Sequence, residues 1–285
     1  MTEAFGYLRA ETVDEALAAL AEDDGESSPL AGGTDLLVDI RNGARAPRRL
    51  IDIKGIEALQ ELRVDRQGIR IGAAVPLNRL AELPAIRESI PALATAALAI
   101  GTYQIRNRGT LVGNVCNASP AADAAPILLV LGAEVEARGP SGERRIPMCE
   151  LFTGVKRTCL SGDELAVAIR LPAPSAGLRT GFLKQGRIRG HDLAVVNVAG
   201  AFAQDHGTLS VAIGSCGPTP ILLETVDGCD GAADAAADRV LALAEAAVSP
   251  IDDVRASSAH RRAVLEALLR RLCAHLLSEE DDRCA

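Results

Sequence analysis

Residues 104–123 read QIRNRGTLVGNVCNASPAAD. A shorter stretch, residues 30–36, reads LAGGTDL. We call residues 30–36 the first glycine segment and residues 104–123 the second. In both, small residues and short polar side chains stand where an apolar run ends. Glycine lets backbone N–H groups approach a ligand closely, and successive N–H groups can bind an anion. Two such segments in one domain therefore predict a ligand with two phosphates.

Neither glycine segment matches the common nucleotide-binding motifs. The GxGxxG pattern of dinucleotide-binding folds and the GxxxxGK[ST] pattern of the P-loop are both missing from them. We therefore expect a ligand other than ATP, and other than NAD bound in the usual way.

Composition argues against several classes of partner. The chain has 285 residues, 48% of them hydrophobic, which is enough for one large domain or two modest ones. A net charge of −8, with four Phe, two Tyr and no Trp, argues against binding to nucleic acid or to an anionic membrane surface. No apolar run is long enough to span a bilayer.

The cysteines point to a reducing compartment. The seven cysteines are odd in number and scattered, they form no CxxC motif, and the four histidines do not cluster with them. We therefore expect no zinc or iron–sulfur site on this chain. The amino terminus shows no secretory signal, so the predicted location is the cytoplasm.

Helical and strand patterns alternate irregularly, which indicates an α+β fold. The best internal boundary is the breaker-rich stretch at residues 172–177. In the last helix, Ser257 is the expected N-cap, five leucines share one face, and the arginines are assigned to the exposed face. Predicted helices cover residues 13–20, 36–40, 90–100, 124–131, 232–247 and 258–277. Predicted strands cover residues 5–8, 50–53, 69–73, 110–115, 133–137, 144–146, 165–171, 179–185, 195–203 and 209–213.

The sequences of the two glycine segments resemble those of the FAD-binding subunit in the xanthine dehydrogenase and carbon monoxide dehydrogenase family, the molybdenum hydroxylases. The family pattern is A-G-G-T-D-L or A-G-G-H-S-L, followed by Q-I-R-N-x-x-T-I-G-G-N-x-x-x-A-S-P-x-x-D. Residues 182–187 and 192–199 also resemble the family's K-x-x-R and D-I-A-x-V-N-x-A segments, so the resemblance covers essentially the whole chain. One departure is Val112, which replaces the first of the family's two glycines.

The resemblance implies a fold in two parts. Residues 1–173 would form the two-lobed α+β FAD-binding fold of the vanillyl-alcohol oxidase (PCMH) type, with lobes at residues 1–56 and 57–173. Residues 178–285 would form a C-terminal α+β domain of the CO dehydrogenase flavoprotein type. FAD would lie extended between the lobes and this domain.

The resemblance also assigns roles to individual residues. The glycine segments would hold the FAD pyrophosphate, Asn117, Ser119 and Asp123 would approach the ribityl and flavin region, and Lys184 would lie near the pyrimidine end of the flavin. A cation there stabilises negative charge on the reduced flavin. No catalytic residue and no metal ligand is assigned to this chain. The pyrophosphate residues would be Gly32, Gly33, Thr34 and Asp35 on one side and Thr110, Gly113 and Asn114 on the other. Ala31 and Leu36 would also belong to the cofactor site.

Structural roles for some of these residues remain open. Asp123 could cap the helix that follows it, and Lys184 could be a solvated strand residue. Cys116 and Cys216 fit small buried hydrophobic positions.

The function implied by the resemblance is electron transfer within a complex. A molybdenum-cofactor subunit would oxidise the substrate, and a [2Fe–2S] subunit would relay electrons to FAD on this chain. The flavin would pass them to NAD, a quinone or oxygen, in a dimer of three-subunit units. Two alternatives are an autonomous FAD-dependent oxidoreductase with its own small-molecule substrate, and a non-redox nucleotide-binding or assembly factor.

Overall fold

The computed structural model describes residues 5–22, 26–188, 190–229 and 233–278. Its strands in chain order are β1 (Gly6–Arg9), β2 (Ser27–Leu30), β3 (Arg49–Asp52), β4 (Leu62–Asp65), β5 (Gly68–Gly72), β6 (Glu134–Gly139), β7 (Gly142–Pro147), β8 (Phe152–Gly154), β9 (Arg157–Thr158), β10 (Leu165–Leu171), β11 (Leu178–Gln185), β12 (Val196–Ala203), β13 (Thr208–Gly214) and β14 (Ile221–Leu222).

The helices alternate irregularly with these strands, as the sequence predicts for an α+β fold. None of the helices in the described ranges combines the length and the apolarity needed to cross a bilayer. In chain order they are α1 (Val13–Ala21), α2 (Leu36–Arg41), α3 (Leu77–Glu82), α4 (Pro84–Ser89), α5 (Pro91–Leu98), α6 (Tyr103–Arg106), α7 (Leu111–Cys116), α8 (Ala124–Val130), α9 (Met148–Leu151), α10 (Ala233–Ala247) and α11 (Ser258–Leu277), with short 3₁₀ turns at Glu57–Leu59 and Gln204–His206.

The chain divides into two compact units. The first unit comprises Met1–Leu83, Ile100–Ala118 and Gly132–Ala173. The second comprises Pro84–Ala99, Ser119–Leu131 and Pro174–Ala285. Two interior segments therefore cluster with the C-terminal part of the chain. The predicted sequence domains, 1–173 and 178–285, and the predicted lobes stay predictions.

The smaller sheet of the first unit positions the first glycine segment. Its three strands are parallel in the order β1-β3-β2. Leu30, at the end of β2, lies opposite Asp52 at the end of β3. Because the carboxyl ends of parallel strands meet at one edge of a sheet, the first glycine segment leaves the sheet at that edge and leads directly into α2.

The larger sheet of the first unit supports the second glycine segment. Its five antiparallel strands have the order β4-β5-β10-β6-β7. The central strand β10 is almost entirely buried, as expected for its continuous apolar sequence. Helix α7 packs against β5 and β10, and this contact fixes the second glycine segment on the sheet.

The second unit is built on the antiparallel sheet β11-β12-β13-β14, against which α11 packs. Gly181 and Gly200 lie opposite each other in β11 and β12. A Cβ at Gly181 would lie 2.7 Å from Leu272, and one at Gly200 would lie 2.6 Å from Leu276. The paired glycines therefore let two leucines of α11 press onto the sheet. The five leucines predicted to share one face of α11 are all buried, and Ser257 caps the helix as predicted.

One predicted strand is wrong. Residues 110–115 carry β-branched residues that favour a strand, but they form the start of α7. The Thr110 hydroxyl oxygen accepts a hydrogen bond of 3.0 Å from the Gly113 N–H, which is the geometry of an N-cap. This cap and the packing of α7 on the larger sheet outweigh the local strand preference.

The assignment of the α11 arginines to the exposed face is wrong for Arg261, which is 1% exposed. Its guanidinium donates hydrogen bonds to the carbonyl oxygens of Val195 and Ser215 and forms a 2.8 Å ion pair with Asp253. Burial opposes ionisation of Asp253, yet hydrogen bonds from Arg255 and Arg261 hold the pKa of its carboxyl well below the ordinary value. Arg261 therefore ties α11 to the beginning of β12.

We expect Arg261→Met to lower the free energy of unfolding by about 3 kcal/mol, because it leaves two buried carbonyl oxygens without the Arg261 donor and removes one of the two arginines that pair with Asp253. The matched control is Arg271→Met, at an exposed position on the same helix, which should change stability by less than about 0.5 kcal/mol. Chemical denaturation of the full chain measures both. Equal losses in the two variants would show that Arg261 has no special role.

Candidate functional site

The two glycine segments line one cavity of about 330 Å³ inside the first unit. A third wall comes from the β9–β10 region, with Thr158, Leu160 and Leu165. The predicted cofactor residues of the first glycine segment, and those of the second as far as Asn117, line this cavity: Ala31, Gly32, Gly33, Thr34, Asp35, Leu36, Thr110, Gly113, Asn114 and Asn117.

Gly32 brings the two segments together. A Cβ at this position would lie 2.2 Å from the carbonyl oxygen of Arg108 and 2.7 Å from the Cα of Gly109. Those atoms are backbone and cannot be displaced by a rotamer change. Gly33 has a φ of +73°, in the left-handed region where glycine is favoured. The pair of glycines is thus required by the close approach of two backbones and by the turn that follows.

The start of α7 lines the cavity with Thr110, Val112 and Gly113. The first N–H groups of a helix have no carbonyl partner within the helix, and they carry partial positive charge. Thr110 satisfies one of them, the N–H of Gly113. Val112, the departure from the family pattern, is 3% exposed and forms part of the cavity wall within this helix.

Asn114 offers an acceptor to a ligand. Its Oδ1 is buried, and among the described residues it has no hydrogen-bond partner. Leaving a buried polar atom unpaired costs about 1–3 kcal/mol, and Asn114 lines the cavity. A bound molecule with a hydroxyl or N–H group would remove this cost, so the residue fits a polar ligand such as a dinucleotide.

Sequence reasoning missed three charged residues of the cavity wall, namely Arg45, Lys156 and Glu164. Lys156 donates a hydrogen bond of 2.7 Å from Nζ to Oδ1 of Asn117. Both oxygens of Glu164 accept hydrogen bonds from Arg144, at 2.7 and 2.8 Å, and this pairing lowers the pKa of the carboxyl. No local motif marks these residues: Arg45 lies in the loop after α2, and Lys156 and Glu164 come from a later part of the chain than either glycine segment.

The remaining predicted site residues lie in the second unit. Lys184 Nζ donates hydrogen bonds to Oδ2 of Asp123 at 2.6 Å and to the carbonyl oxygen of Ala99 at 3.0 Å. The other carboxylate oxygen of Asp123 accepts a hydrogen bond of 3.0 Å from Nδ2 of Asn197. Lys184 and Asn197 are opposite each other in β11 and β12. The structure therefore brings together Asp123 and Lys184, which sequence reasoning selected, and adds Asn197.

Two structural alternatives for these residues are excluded. The Asp123 side chain makes no capping hydrogen bond to α8. Lys184 is not solvated, since its side chain is only 12% exposed. Burial raises the pKa of Asp123, although Lys184 and Asn197 oppose the rise. Ser119 is separate from this cluster, and its hydroxyl oxygen accepts a hydrogen bond from the Ala121 N–H at 3.3 Å.

The two cysteines weighed from the sequence are protonated thiols at neutral pH. Burial, with the nearby Cys159, raises the pKa of Cys116 to about 12. Burial raises the pKa of Cys216 to about 11, and Cys216 lies in the core of the second unit, as the sequence predicts. Cys116 is only partly buried and lines the cavity. Within the described ranges no three His, Cys, Asp or Glu side chains form a group that could hold a metal ion.

Comparison with known proteins gives the same picture over nearly the whole chain. Residues 3–174 match the model of the FAD binding domain in molybdopterin dehydrogenase, and residues 181–276 match that of the CO dehydrogenase flavoprotein C-terminal domain.

Two curated relatives and one solved structure illustrate the similarity. The chain is 30% identical to the xanthine dehydrogenase FAD-binding subunit of Escherichia coli O157:H7, over 93% of this chain and 94% of the relative. It is also 30% identical to the carbon monoxide dehydrogenase medium chain of Hydrogenophaga pseudoflava, over 94% and 95%. A crystal structure of a Cu,Mo-CO dehydrogenase in its cyanide-inactivated form superposes with a TM-score of 0.90 at 28% identity, covering 95% of this chain and 97% of that chain. These findings confirm the predicted fold class and FAD as the cofactor.

We expect Gly32→Ala to push the two glycine segments apart, because the new Cβ would collide with the Arg108 carbonyl oxygen. Stability should fall by about 2 kcal/mol, and the purified variant should carry less FAD than the parent chain. Denaturation and flavin absorbance per chain measure the two effects.

The control for this prediction is Gly154→Ala, because the only atom near its Cβ position lies 4.0 Å away. It should keep both the stability and the flavin content of the parent chain. A Gly32→Ala variant with parental stability and parental flavin content would contradict the importance of this contact.

Proposed function

Because the chain belongs to the FAD-binding subunits of the xanthine dehydrogenase and CO dehydrogenase family, we propose that it is the electron-transfer subunit of a molybdenum hydroxylase complex. In this proposal a [2Fe–2S] partner subunit delivers electrons to the FAD, and an acceptor such as NAD, a quinone or oxygen removes them. Substrate oxidation takes place on a molybdenum-cofactor subunit. Bound FAD supplies the capacity to accept two electrons and to release them one at a time or as a pair.

The observation that carries the proposal is the single cavity lined by both glycine segments. The diphosphate of FAD would lie between Gly32 and Gly33 on one side and the start of α7 on the other. Both elements line the cavity, and the N–H groups of a glycine turn and of the first turn of a helix suit an anion. Asn114 would pair its orphaned oxygen with a hydroxyl or N–H of the cofactor.

The Asp123–Lys184–Asn197 cluster would set the charge near the flavin. Lys184, which by resemblance approaches the pyrimidine end, would stabilise negative charge on the reduced cofactor. Asp123 would offset part of that effect, since its carboxylate is hydrogen-bonded to the ammonium. Asn197 would hold the carboxylate in place from the neighbouring strand.

The proposal of partner subunits rests on the relatives. Two relatives, which this chain matches over 94% and 95% of their length, are named as a subunit and as a medium chain. We propose the same for this chain, in a dimer of three-subunit units. The six cysteines in the described ranges are free thiols, which fits a cytoplasmic location.

We expect the full chain, purified without partners, to be yellow and to release one FAD per chain on denaturation. It should oxidise no organic substrate by itself, because in this proposal that reaction belongs to another subunit. Absorbance, mass analysis of the released chromophore and anaerobic mixing with xanthine, aldehydes or carbon monoxide test these statements. Reduction of the bound flavin by one of these compounds without a partner would favour an autonomous oxidoreductase.

We expect two substitutions in the second unit to shift the flavin midpoint potential in opposite directions. Lys184→Met removes the cation and should lower the potential by about 30 mV, which is about 1.4 kcal/mol for two electrons. Asp123→Asn leaves the cation uncompensated and should raise the potential by a similar amount. Redox titration against a reference dye measures both. Shifts of the same sign would contradict the charge argument and indicate a general distortion of the site.

A further inference from the structure

Lys156 is held at the cavity by two turns of unusual backbone conformation. It occupies the turn between β8 and β9 with a φ of +57°, and Ala118, just after α7, has a φ of +47°. The Lys156 N–H donates a hydrogen bond of 2.9 Å to the Ala118 carbonyl oxygen. Non-glycine residues seldom adopt this region, and they persist there where the surrounding structure imposes it. The pair of turns fixes Lys156 beside the end of the second glycine segment.

The Lys156 ammonium belongs to a small cluster of charges. Its Nζ lies 3.8 Å from Oδ2 of Asp39, in the helix that follows the first glycine segment. Nε of Arg45 lies 3.9 Å from the same oxygen. Two cations thus share one carboxylate, and the cluster has one positive charge in excess. Both cations line the cavity.

The geometry leaves these cations available to a ligand. Separations of 3.8 and 3.9 Å are ion pairs without a hydrogen bond, and such pairs at a partly exposed position contribute little. The Lys156 ammonium also donates one hydrogen bond, of 2.7 Å, to Oδ1 of Asn117, which leaves two of its three N–H donors for a ligand. The Lys156 side chain is 42% exposed and the Arg45 side chain 41%. A stronger anion in the cavity would therefore attract both groups at small cost.

The other acidic residues of the wall do not cancel this excess. The charge of Glu164 is matched by Arg144, which contacts both of its oxygens. Asp35 is exposed at the start of α2, so water and salt screen it. The Arg45–Asp39–Lys156 cluster, whose two cations line the cavity, is therefore the charged group best suited to a dianion.

We propose that Lys156 and Arg45, bridged by Asp39, form a cationic subsite for the diphosphate of the cofactor. The inference rests on the proposed function, since it takes FAD as the occupant of this cavity. The glycine segments supply backbone N–H groups, which carry only partial charges. The two side chains add full charges opposite a group with two negative charges. Asp39 holds the cations in place until the ligand arrives and limits their attraction for it.

Binding of phosphate-bearing and phosphate-free probes to the flavin-depleted full chain tests the subsite. Lys156→Met should lower the affinities for FAD and for ADP by a similar factor of about ten, which is the usual cost of a lost hydrogen bond between charged groups. Riboflavin, which has no phosphate, should bind both chains equally. Lys156→Arg should recover most of the affinity. Arg157→Met, at the adjacent exposed position outside the cavity, is the matched control and should bind all three probes like the parent.

Asp39→Asn provides a test with the opposite sign. Removing the shared carboxylate frees both cations, so ADP and FAD should bind about three-fold more tightly. A substitution that merely damaged the fold would weaken binding. This result would therefore support the subsite even if Lys156→Met were poorly folded.

Three outcomes would overturn the subsite. If Lys156→Met weakened the binding of riboflavin and of ADP equally, the ammonium would either contact the flavin or only stabilise the folded chain. Unchanged ADP binding in Lys156→Met, or weaker ADP binding in Asp39→Asn, would show that the cluster does not serve the diphosphate. If the parent chain bound neither FAD nor ADP, the proposed function itself would fail, and the inference with it. Parent binding without these mutational effects removes only the inference.

Discussion

The close approach of two backbones, at Gly32 and at the Arg108 carbonyl oxygen, is the constraint on which the cavity depends. No side chain fits between them. The contact joins a segment that leaves a parallel sheet to one fixed by a helix on an antiparallel sheet. Two elements distant in sequence thereby line a single cavity. The surrounding wall adds what glycine cannot supply, namely an orphaned amide oxygen at Asn114 and the charges carried by Lys156 and Arg45.

Much of this arrangement could be predicted from the sequence, because its signals are local. Gly32 and Gly33 indicate a turn, and the leucines of α11 follow the helical period. The apolar run of β10 predicts a buried strand. The second glycine segment ends with Ser119, Pro120 and Asp123, which are residue types typical of turns and helix starts. These patterns depend on backbone conformation and burial, which a few neighbouring residues determine.

The features that sequence reasoning missed depend on contacts between distant residues. The start of α7 reads as a strand, and only the Thr110 cap and packing on the larger sheet make it a helix. Arg261 looks like any other arginine of a surface helix, yet it is buried against Asp253. Asn197 reaches Asp123 because strand register places it opposite Lys184. Long-range pairing of this kind leaves no mark within a short window of sequence.

The central claim is that the two glycine segments hold the diphosphate of FAD between them. A crystal structure of the full chain grown with FAD tests it most directly. We expect the diphosphate to lie between the Gly32–Gly33 turn and the first turn of α7, with the Asn114 oxygen paired to the cofactor. Density for the diphosphate at any other part of the chain, with the cavity between the glycine segments filled only by water, would contradict it.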